Sequence, residues 1–183
     1  MKFESLSLGG VYKIDLEKRN DERGFFARLF CEDEFREHNL NTQWVQINNS
    51  FNIEAGTIRG LHFQYPPCSE IKLVRCISGA IWDVIVDIRL GSPTFLQWVG
   101  IELTESNKSM LYIPEGFAHG FQTLTKNSEM LYFHSKPFTQ NKEGGINVFD
   151  PKLKIAWPNL KAIVSQRDHS INMIKDSFKG LRV

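Results

Sequence analysis

Short runs of β-branched and aromatic residues, separated by turn residues, recur along the first two-thirds of the chain. Gly, Pro, Asn or Lys-Asn residues separate most of these runs, as they do in the connections between strands. So many short strands at regular spacing predict an antiparallel sandwich or barrel, whose usual closed form is a jelly roll. The predicted strands are VYKIDL, FFARLF, VQINNSF, KLVRCIS, AIWDVIVDIR, TFLQWVGIELT, SMLYI, HGFQTLT and EMLYFHS.

Helical patterns are rare. The segment EDEFREHN, Glu32 to Asn39, carries acidic residues in its first turn and predicts one helix. After Asp150 the pattern loosens and predicts loops with one or two short helices. The segment from Arg59 to Gly79 is predicted to form two strands joined by a Pro-Pro turn. No repeat or linker interrupts the chain, so we expect one all-β domain over residues 1–183.

The strand AIWDVIVDIR has two unlike faces. A fully apolar face lies opposite a face that carries two carboxylates, which suggests a wet lumen or groove on the second side. Each aspartate taken alone is predicted to face bulk solvent, although a position in the most apolar strand also fits a wet groove. One face contains Trp82, Val84, Val86 and Ile88, and the other contains Asp83, Ile85 and Asp87.

Composition and charge narrow the functional classes. The 22 basic and 21 acidic side chains leave a net charge of +1, which gives no sign of a surface for nucleic acid or anionic membrane. The three cysteines form no CxxC pair, which favours a reduced protein over a disulfide scaffold. The start MKFESLSLGG lacks an apolar signal core, and no run approaches a membrane span. We therefore expect a soluble cytoplasmic protein with no nucleic-acid or membrane partner.

Two histidines stand in a pattern known from metal-binding β-barrels. Barrels of the cupin type carry Gly-x5-His-x-His-x3–4-Glu, then Pro-x-Gly-x2-His, and Gly56-x5-His62 and PEGFAH ending at His119 resemble these motifs. The resemblance fails at the metal positions, because Gln64 replaces the second His and Glu70 lies one residue too far along. Two histidines and an amide suit a transition metal poorly, which disfavours a metal-dependent oxygenase. We predict a cupin-like barrel without metal or cofactor, in which His62 is a general base or a packed structural residue.

Eight motifs occur in order between about residue 10 and residue 170: RGFF, QINNS, GTIRGLHFQ, KLVRCISGAIWDVIVDIR, SPTFLQW, IPEGFAHGF, LYFHS and SQRD. Together they resemble the dTDP-4-dehydrorhamnose 3,5-epimerase family. The resemblance implies a metal-free, cupin-type jelly-roll homodimer. It also implies inversion of C3 and C5 in a nucleotide-diphosphate 4-keto-6-deoxyhexose, most simply dTDP-4-dehydro-6-deoxy-D-glucose.

The resemblance further implies roles for four catalytic residues. The C4 ketone acidifies the hydrogens on C3 and C5, so proton removal through an enolate, with return to the opposite face, inverts each centre. His62 is expected to be the base, because imidazole titrates near neutrality, and Asp168 is expected to fix its tautomer. Lys72 is expected to stabilise the charge on O4, and Tyr132 to return the proton as an acid.

Eight further positions are implied as substrate contacts. Arg59 and Arg23 are expected to hold the diphosphate, because guanidinium groups bind phosphate oxygens in pairs. Arg23 and Phe26 are expected to reach from one protomer into the partner's site. His134 matches no family role and is predicted to be structural. The implied contacts are Arg23, Phe26, Gln46, Asn48, Arg59, His119, Glu143 and Arg167.

Two positions depart from the family's pattern. Arg28 stands where the family commonly has a Glu that contacts the nucleotide, which leaves a nucleotide other than dTDP open. Phe138 replaces the usual Tyr and lacks its hydroxyl, a change that bears on the balance between C3 and C5 inversion. The alternative functions are a 3-epimerase or 3,4-ketoisomerase on a related nucleotide sugar, and a non-catalytic sugar-binding cupin.

Strand geometry sets one condition on the site. Arg59 and His62 are three residues apart, so strict alternation places their side chains on opposite faces. For both to reach one substrate the strand must bulge, and Gly60 is the natural place. Lys72 raises no such conflict, because it is predicted to lie on a neighbouring strand.

Overall fold

Two antiparallel sheets face each other in the computed structural model, which describes residues 1–183. The first sheet contains, in spatial order, β1 (Lys2–Ser5), β2 (Tyr12–Asp15), β10 (Met110–Ile113), β7 (Lys72–Ser78), β12 (Ser128–His134) and β5 (Gln46–Asn52). The second contains β13 (Glu143–Gly145), β6 (Thr57–Gln64), β11 (Phe117–Thr123), β8 (Ala80–Asp87) and β9 (Trp98–Thr104), and β14 (Ile163–Val164) pairs with β6 in parallel. A separate hairpin joins β3 (Arg19–Asp21) to β4 (Gly24–Phe26).

The all-β, cupin-like jelly-roll prediction is confirmed. Most predicted strands are present, and KLVRCIS coincides with β7 residue for residue. The predicted strand FFARLF is wrong beyond Phe26, where β4 ends. The predicted helix is α1 (Glu32–Glu37), and the C-terminal third contains one short helix, α2 (Gln166–His169). Both helices are far too short to cross a membrane.

Three apolar clusters cover the faces of the two sheets. The first fills the space between the sheets, with Val74 and Met130 from one sheet and Ile85 and Phe121 from the other. The second lies on the outer face of the second sheet, where the C-terminal third of the chain covers it. The third packs α1, through the fully buried Phe35, against the first sheet. The second sheet is therefore buried on both faces.

This burial corrects the prediction for the aspartates of β8. Asp83 and Asp87 are both fully buried, so the expectation that each faces bulk solvent is wrong. Asp87 accepts hydrogen bonds from the side chains of Arg89, Ser92 and Thr94. Burial opposes ionisation, but these hydrogen bonds lower the pKa of Asp87 to about 2. Asp83 points into the space between the sheets, where both its carboxylate oxygens lie 2.9 Å from His119 Nε2.

The two strands of the segment from Arg59 to Gly79 do not pair with each other. β6 pairs with β11, β13 and β14, whereas β7 lies between β10 and β12 in the opposite sheet. The expectation that Lys72 lies on a strand next to that of His62 is therefore wrong. Residues 65–71 carry the chain from one sheet to the other, so that Lys72 and His62 face each other across the inter-sheet space.

Strand β5 forms an edge of the first sheet and has two contrasting faces. Gln46, Asn48 and Ser50 line the pocket between the sheets. The alternate positions, apart from Asn49, form an apolar stripe that includes the residue before the strand and the one after it. The stripe consists of Val45, Ile47, Phe51 and Ile53, each of which is more than half exposed.

Candidate active site

A cavity of about 620 Å³ lies between the two sheets, which is a suitable size for a small-molecule ligand. Its walls come from β5, β7 and β12 of the first sheet and from β6, β11 and β13 of the second. Four of its 19 lining residues are hydrophobic, so the cavity suits a polar ligand. Its charged and titratable side chains are Arg59, His62, Glu70, Lys72, His119, Tyr132, His134, Glu143, Arg167 and Asp168.

The expected bulge at Gly60 is present and brings Arg59 and His62 to the same cavity. Arg59 pairs with Phe121 of β11 and His62 pairs with His119, so three steps along β6 match two along β11. Gly60 has φ +125°, and a Cβ atom there would lie 2.5 Å from the Cα of Gly120. A side chain larger than hydrogen therefore has no room at this crossing.

His62 and Asp168 form a hydrogen-bonded pair on one wall. His62 Nε2 lies 2.7 Å from Asp168 Oδ1, so Nε2 carries the proton and Nδ1 is free to accept one. Ser165 caps α2 by accepting a hydrogen bond from the backbone N–H of Asp168, which places this aspartate at the pocket. Burial opposes ionisation of Asp168, but the hydrogen bond from His62 holds its pKa below the ordinary value.

Tyr132 of β12 brings a protonated phenol to the cavity. Its hydroxyl lies 3.1 Å from the Ser50 hydroxyl of β5. Burial raises the pKa of Tyr132 well above its ordinary value, despite the opposing hydrogen bond with Ser50. The phenol is therefore fully protonated at neutral pH and can act as a proton donor.

Lys72 enters the cavity from β7, beside an acidic side chain and another histidine. Its Nζ atom lies 3.2 Å from Glu70 Oε1, and His134 Nδ1 lies 2.7 Å from Glu70 Oε2. All three side chains are almost buried, with between 9% and 12% of their surfaces exposed. Burial opposes ionisation of Glu70, but its contacts with His134 and Lys72 hold its pKa below the ordinary value. Lys72 and Glu70 therefore form a buried ion pair.

A second histidine–aspartate pair lies deeper in the site. His119 Nε2 is 2.9 Å from both carboxylate oxygens of Asp83. Burial raises the pKa of Asp83, and the nearby His119 opposes that rise only in part. The rings of His119 and Tyr132 meet edge to face, with their centroids 6.3 Å apart.

The mouth of the cavity carries two arginines in different settings. Arg59 Nε donates to Asn52 Oδ1 at 2.6 Å, which orients the rest of the guanidinium group. Arg167 forms an ion pair with Glu143, whose other oxygen lies 4.0 Å from His62 Nδ1. The site therefore combines cations that suit an anionic group with the unprotonated Nδ1 of His62.

Gln64, at the expected second-histidine position of a metal cupin, serves the loop that follows β12. Its amide donates to the carbonyl of Pro137 and accepts from the backbone N–H of Thr139. No group of three or more His, Cys, Asp or Glu side chains is arranged to hold a metal ion. Gln64 thus positions the loop that carries Phe138, and the absence of metal and cofactor stays a prediction.

Ten of the twelve predicted site residues line this cavity, and two do not. Arg23 lies on the β3–β4 hairpin, is exposed and pairs with Asp21. Phe26 is about three-quarters exposed and lies at a different surface depression, next to Arg28, which is paired with Glu34. A single copy of the chain therefore does not bring these hairpin residues to the other ten.

The polar residues of the cavity that sequence reasoning missed include Ser50, Glu70 and His134. Each lies two positions from a predicted site residue, and alternation along a strand could have found two of them. Ser50 follows Asn48 on β5, and His134 follows Tyr132 on β12. Glu70 precedes β7, so strand alternation gave no signal for it.

The chain resembles one family over nearly its whole length. A sequence model described as dTDP-4-dehydrorhamnose 3,5-epimerase matches residues 5–176. The dTDP-4-dehydrorhamnose 3,5-epimerase of Sinorhizobium fredii is 42% identical over 171 residues, which cover 93% of this chain and 88% of that protein.

Solved structures agree with the sequence comparison. The dTDP-4-dehydrorhamnose 3,5-epimerase of Elizabethkingia anophelis has a TM-score of 0.93 at 36% identity, covering 97% of this chain and 98% of that one. The dTDP-6-deoxy-D-glucose-3,5-epimerase of Legionella pneumophila, in complex with dTDP-4-keto-L-rhamnose, has a TM-score of 0.91 at 34% identity, covering 100% and 98%.

Proposed function

Because the chain belongs to the dTDP-4-dehydrorhamnose 3,5-epimerase family, we propose that the cavity between its sheets is the active site of that reaction. The protein is an isomerase that inverts C3 and C5 of a dTDP-4-keto-6-deoxyhexose, giving dTDP-4-dehydro-L-rhamnose from dTDP-4-dehydro-6-deoxy-D-glucose. The proposed residue roles rest on one observation about the cavity. A hydrogen-bonded His–Asp pair, a buried protonated tyrosine and a lysine meet in one polar cavity.

His62 is the base in this proposal. Asp168 holds the proton of His62 on Nε2, which leaves the lone pair of Nδ1 to accept the hydrogen from C3 or C5. The electrons of the broken C–H bond move into the ring and collect on O4 as an enolate. Asp168 then stabilises the imidazolium that forms, because its carboxylate is already ionised and hydrogen-bonded to it.

Lys72 meets the charge on O4. Its ammonium group is held by Glu70 on one side, and its other N–H groups remain available to the cavity. Charge develops on O4 only as the C–H bond breaks, so this contact stabilises the transition state more than the bound ketone.

Tyr132 returns a proton to the carbon from the face opposite the base. The phenol donates, the enolate electrons re-form the C–H bond, and the C4 ketone is restored with the centre inverted. Ser50, which is hydrogen-bonded to the phenol, supports the oxyanion left on Tyr132. Once His62 has released its proton to water and Tyr132 has regained one from water, the same sequence of steps applies at the other centre, because C3 and C5 are both adjacent to the ketone.

The remaining lining residues are assigned to binding. Arg59 and Arg167 face the diphosphate, while Gln46 and Asn48 offer amides to the sugar or nucleotide. His119 and Glu143 complete the wall around the sugar. A nucleotide sugar in the structure of the Legionella relative supports this class of ligand.

Deuterium incorporation tests the proposed function. Purified protein is incubated with dTDP-4-dehydro-6-deoxy-D-glucose in deuterated buffer, and the product is examined by NMR. Deuterium at both C3 and C5 is expected. Deuterium at one centre would indicate a single-centre epimerase or ketoisomerase, and none would indicate a sugar-binding protein or a different nucleotide. Metal analysis of the same sample, and turnover with chelator, test the expected independence from metal.

We also propose a homodimer in which the β3–β4 hairpin of one protomer completes the site of the other. The exposed apolar stripe on β5 has the character of a protein interface, and it lies on the strand whose other face lines the cavity. Arg23 and Phe26 stand exposed on the hairpin, away from the cavity of their own chain.

Mixing two inactive variants tests the shared site. His62→Asn removes the base, and a double variant with Arg23→Ala and Phe26→Ala removes the hairpin contacts. In mixed dimers one site combines an intact base with an intact partner hairpin, so about a quarter of wild-type activity should return after random subunit exchange. No recovery, with subunit exchange verified by mass, would show that the hairpin serves its own chain.

A further inference from the structure

Five side chains of the cavity are joined in one continuous chain of polar contacts. It begins at the backbone N–H of Phe138, in the loop at the cavity mouth, and ends at Lys72. The intermediate members are Gln46, Asn48, His134 and Glu70, and the consecutive distances are 2.9, 3.1, 3.3, 2.7 and 3.2 Å.

The backbone N–H of Phe138 and the carboxylate of Glu70 each have only one possible hydrogen-bonding role, and together they determine the direction of every hydrogen bond between them. A backbone N–H can only donate, so Phe138 donates to Gln46 Oε1, and Gln46 Nε2 donates to Asn48 Oδ1. An ionised carboxylate can only accept, so His134 donates through Nδ1–H to Glu70. His134 Nε2 is then unprotonated and accepts from Asn48 Nδ2. One arrangement satisfies all the contacts.

We propose that Glu70 and His134 are positioning residues that hold Lys72 and the amides of Asn48 and Gln46 in the orientation the reaction needs. The inference rests on the proposed function, because it takes Lys72 as the group that meets O4. Glu70 uses one oxygen for Lys72 and the other for His134, so it holds the ammonium by a single contact and leaves its other N–H groups to the substrate.

The position of His134 explains how one residue can orient both the amides on β5 and Lys72 on β7. Its Cα is paired with that of Gln46 on β5 and with that of Lys72 on β7, so it stands between these two residues on the middle strand of three. Its ring is stacked on that of Tyr132, with the centroids 6.2 Å apart and the planes 20° apart. A change in its tautomer would break the contact with Glu70 on one side and set the Nε2–H of His134 against the amide N–H of Asn48 on the other.

The first test is spectroscopic and does not depend on activity. Long-range ¹H–¹⁵N spectra distinguish the two neutral tautomers of histidine, and the His134 signals are assigned by their loss in His134→Gln. At neutral pH we expect the Nδ1–H tautomer in the wild-type protein. The Nε2–H tautomer or a charged ring would overturn the proposal, even if the protein epimerises its substrate normally.

The second test compares two substitutions of the same residue. In His134→Gln the amide can donate to Glu70 and accept from Asn48, which preserves the direction of the chain. In His134→Leu the volume is kept but both contacts are lost. We expect KM to rise by roughly tenfold to a hundredfold in His134→Leu and to recover largely in His134→Gln. Equal KM values for the two variants, measured on folded protein, would overturn the proposal.

The third test separates Glu70 from His134. Glu70→Gln keeps the shape of the side chain but removes the charge that holds Lys72. We expect a loss of roughly tenfold or more in kcat with a smaller change in KM, because the charge on O4 develops only during the reaction. A lower melting temperature with unchanged kcat and KM would assign Glu70 a structural role alone. If the wild-type protein shows no epimerisation, the proposed function fails while the tautomer measurement still decides the hydrogen-bond chain.

Discussion

The cavity contains two histidine–aspartate pairs that share a composition and differ in their surroundings. In both pairs Nε2 of the imidazole faces the carboxylate, at 2.7 Å in His62–Asp168 and 2.9 Å in His119–Asp83. About a quarter of the His62 side chain is exposed, whereas His119 and Asp83 are almost or fully enclosed. The first pair is open to the cavity through His62, whereas the second is almost closed off from it.

This difference decides which pair can transfer protons. A base must exchange its proton with solvent after each turnover, and the exposed edge of His62 permits that exchange. In the enclosed pair, removal of one partner leaves a buried group without its hydrogen bond, which is costly in a low-dielectric interior. We therefore assign proton transfer to His62–Asp168, and maintenance of the cavity wall to His119–Asp83.

The same substitution at both histidines should separate the pairs most clearly. His62→Asn should lower kcat by roughly 10²–10⁴-fold, the range for loss of a general base, with little change in nucleotide-sugar affinity. The fold should persist, because Asp168 keeps the hydrogen bond from the backbone N–H of Gly60 and lines the cavity. Steady-state kinetics and thermal melting measure both quantities. A lower melting temperature with full turnover per folded molecule would make His62 structural.

His119→Asn should act mainly on stability. The shorter amide cannot reach the position of Nε2, so Asp83 is left as a buried group without its hydrogen-bond partner, at a cost of about 1–3 kcal/mol. For a protein of this size each kcal/mol lowers the melting temperature by about 2–4 °C. Asp83→Asn is the matched control, because its amide oxygen still accepts from Nε2–H, and it should melt much closer to the wild type. Equal melting of the two variants would contradict the assignment.

Tyr132→Phe should separate proton removal from proton return. Tyr132 stands beside the enclosed pair, yet we assign it to catalysis, because its hydroxyl is protonated and lines the cavity. Inversion should slow by roughly 10²-fold, while exchange of substrate hydrogens with deuterated buffer continues through His62. NMR follows both processes in one sample. Parallel loss of exchange and inversion would remove Tyr132 from the role of acid.

The smallest expected effect is an opposite pH dependence of stability in the two pairs. The pKa of Asp168 is lowered in the folded protein, so its contribution is present above its ordinary value and is lost as pH falls through the folded value. The pKa of Asp83 is raised, so its contribution declines as pH rises above the ordinary value. Urea unfolding of the wild type, Asp168→Asn and Asp83→Asn between about pH 3 and 7 measures both trends. If the difference in unfolding free energy between wild type and variant changed with pH in the same direction and to the same extent for both aspartates, the comparison would be contradicted.

Periodicity predicted the strands and the fold class well, because alternation is a local property. It placed Val84 and Val86 together on one apolar face and required the bulge at Gly60, and the structure has both. Periodicity does not say which strand pairs with which, so Lys72 was expected beside His62 and lies in the facing sheet. Nor does it say what covers a face, which is why Asp83 was expected in solvent.

The site residues were predicted mainly through the family resemblance. The cavity residues that the sequence did not indicate were missed for a physical reason. A lone Glu70 or His134 does not reveal its partners, because these are gained only when β5, β12 and β7 pair side by side in the first sheet. Arg23 and Phe26 are a different case, since their expected partners lie on a second copy of the chain. Contacts made between distant segments or between copies leave no trace in the local pattern.

The glycines at the crossing of β6 and β11 limit how this protein can be engineered. Gly60 and Gly120 lie against each other, and a Cβ on Gly120 would come within 2.6 Å of the carbonyl oxygen of Arg59. A library that randomises the cavity wall to accept other sugars should therefore leave both positions unchanged. Even alanine there would force the two strands apart and shift His62 relative to His119. The substrate range can thus be changed through the side chains around the crossing. The two glycines of the crossing must stay, because they fix the positions of β6 and β11 in every variant.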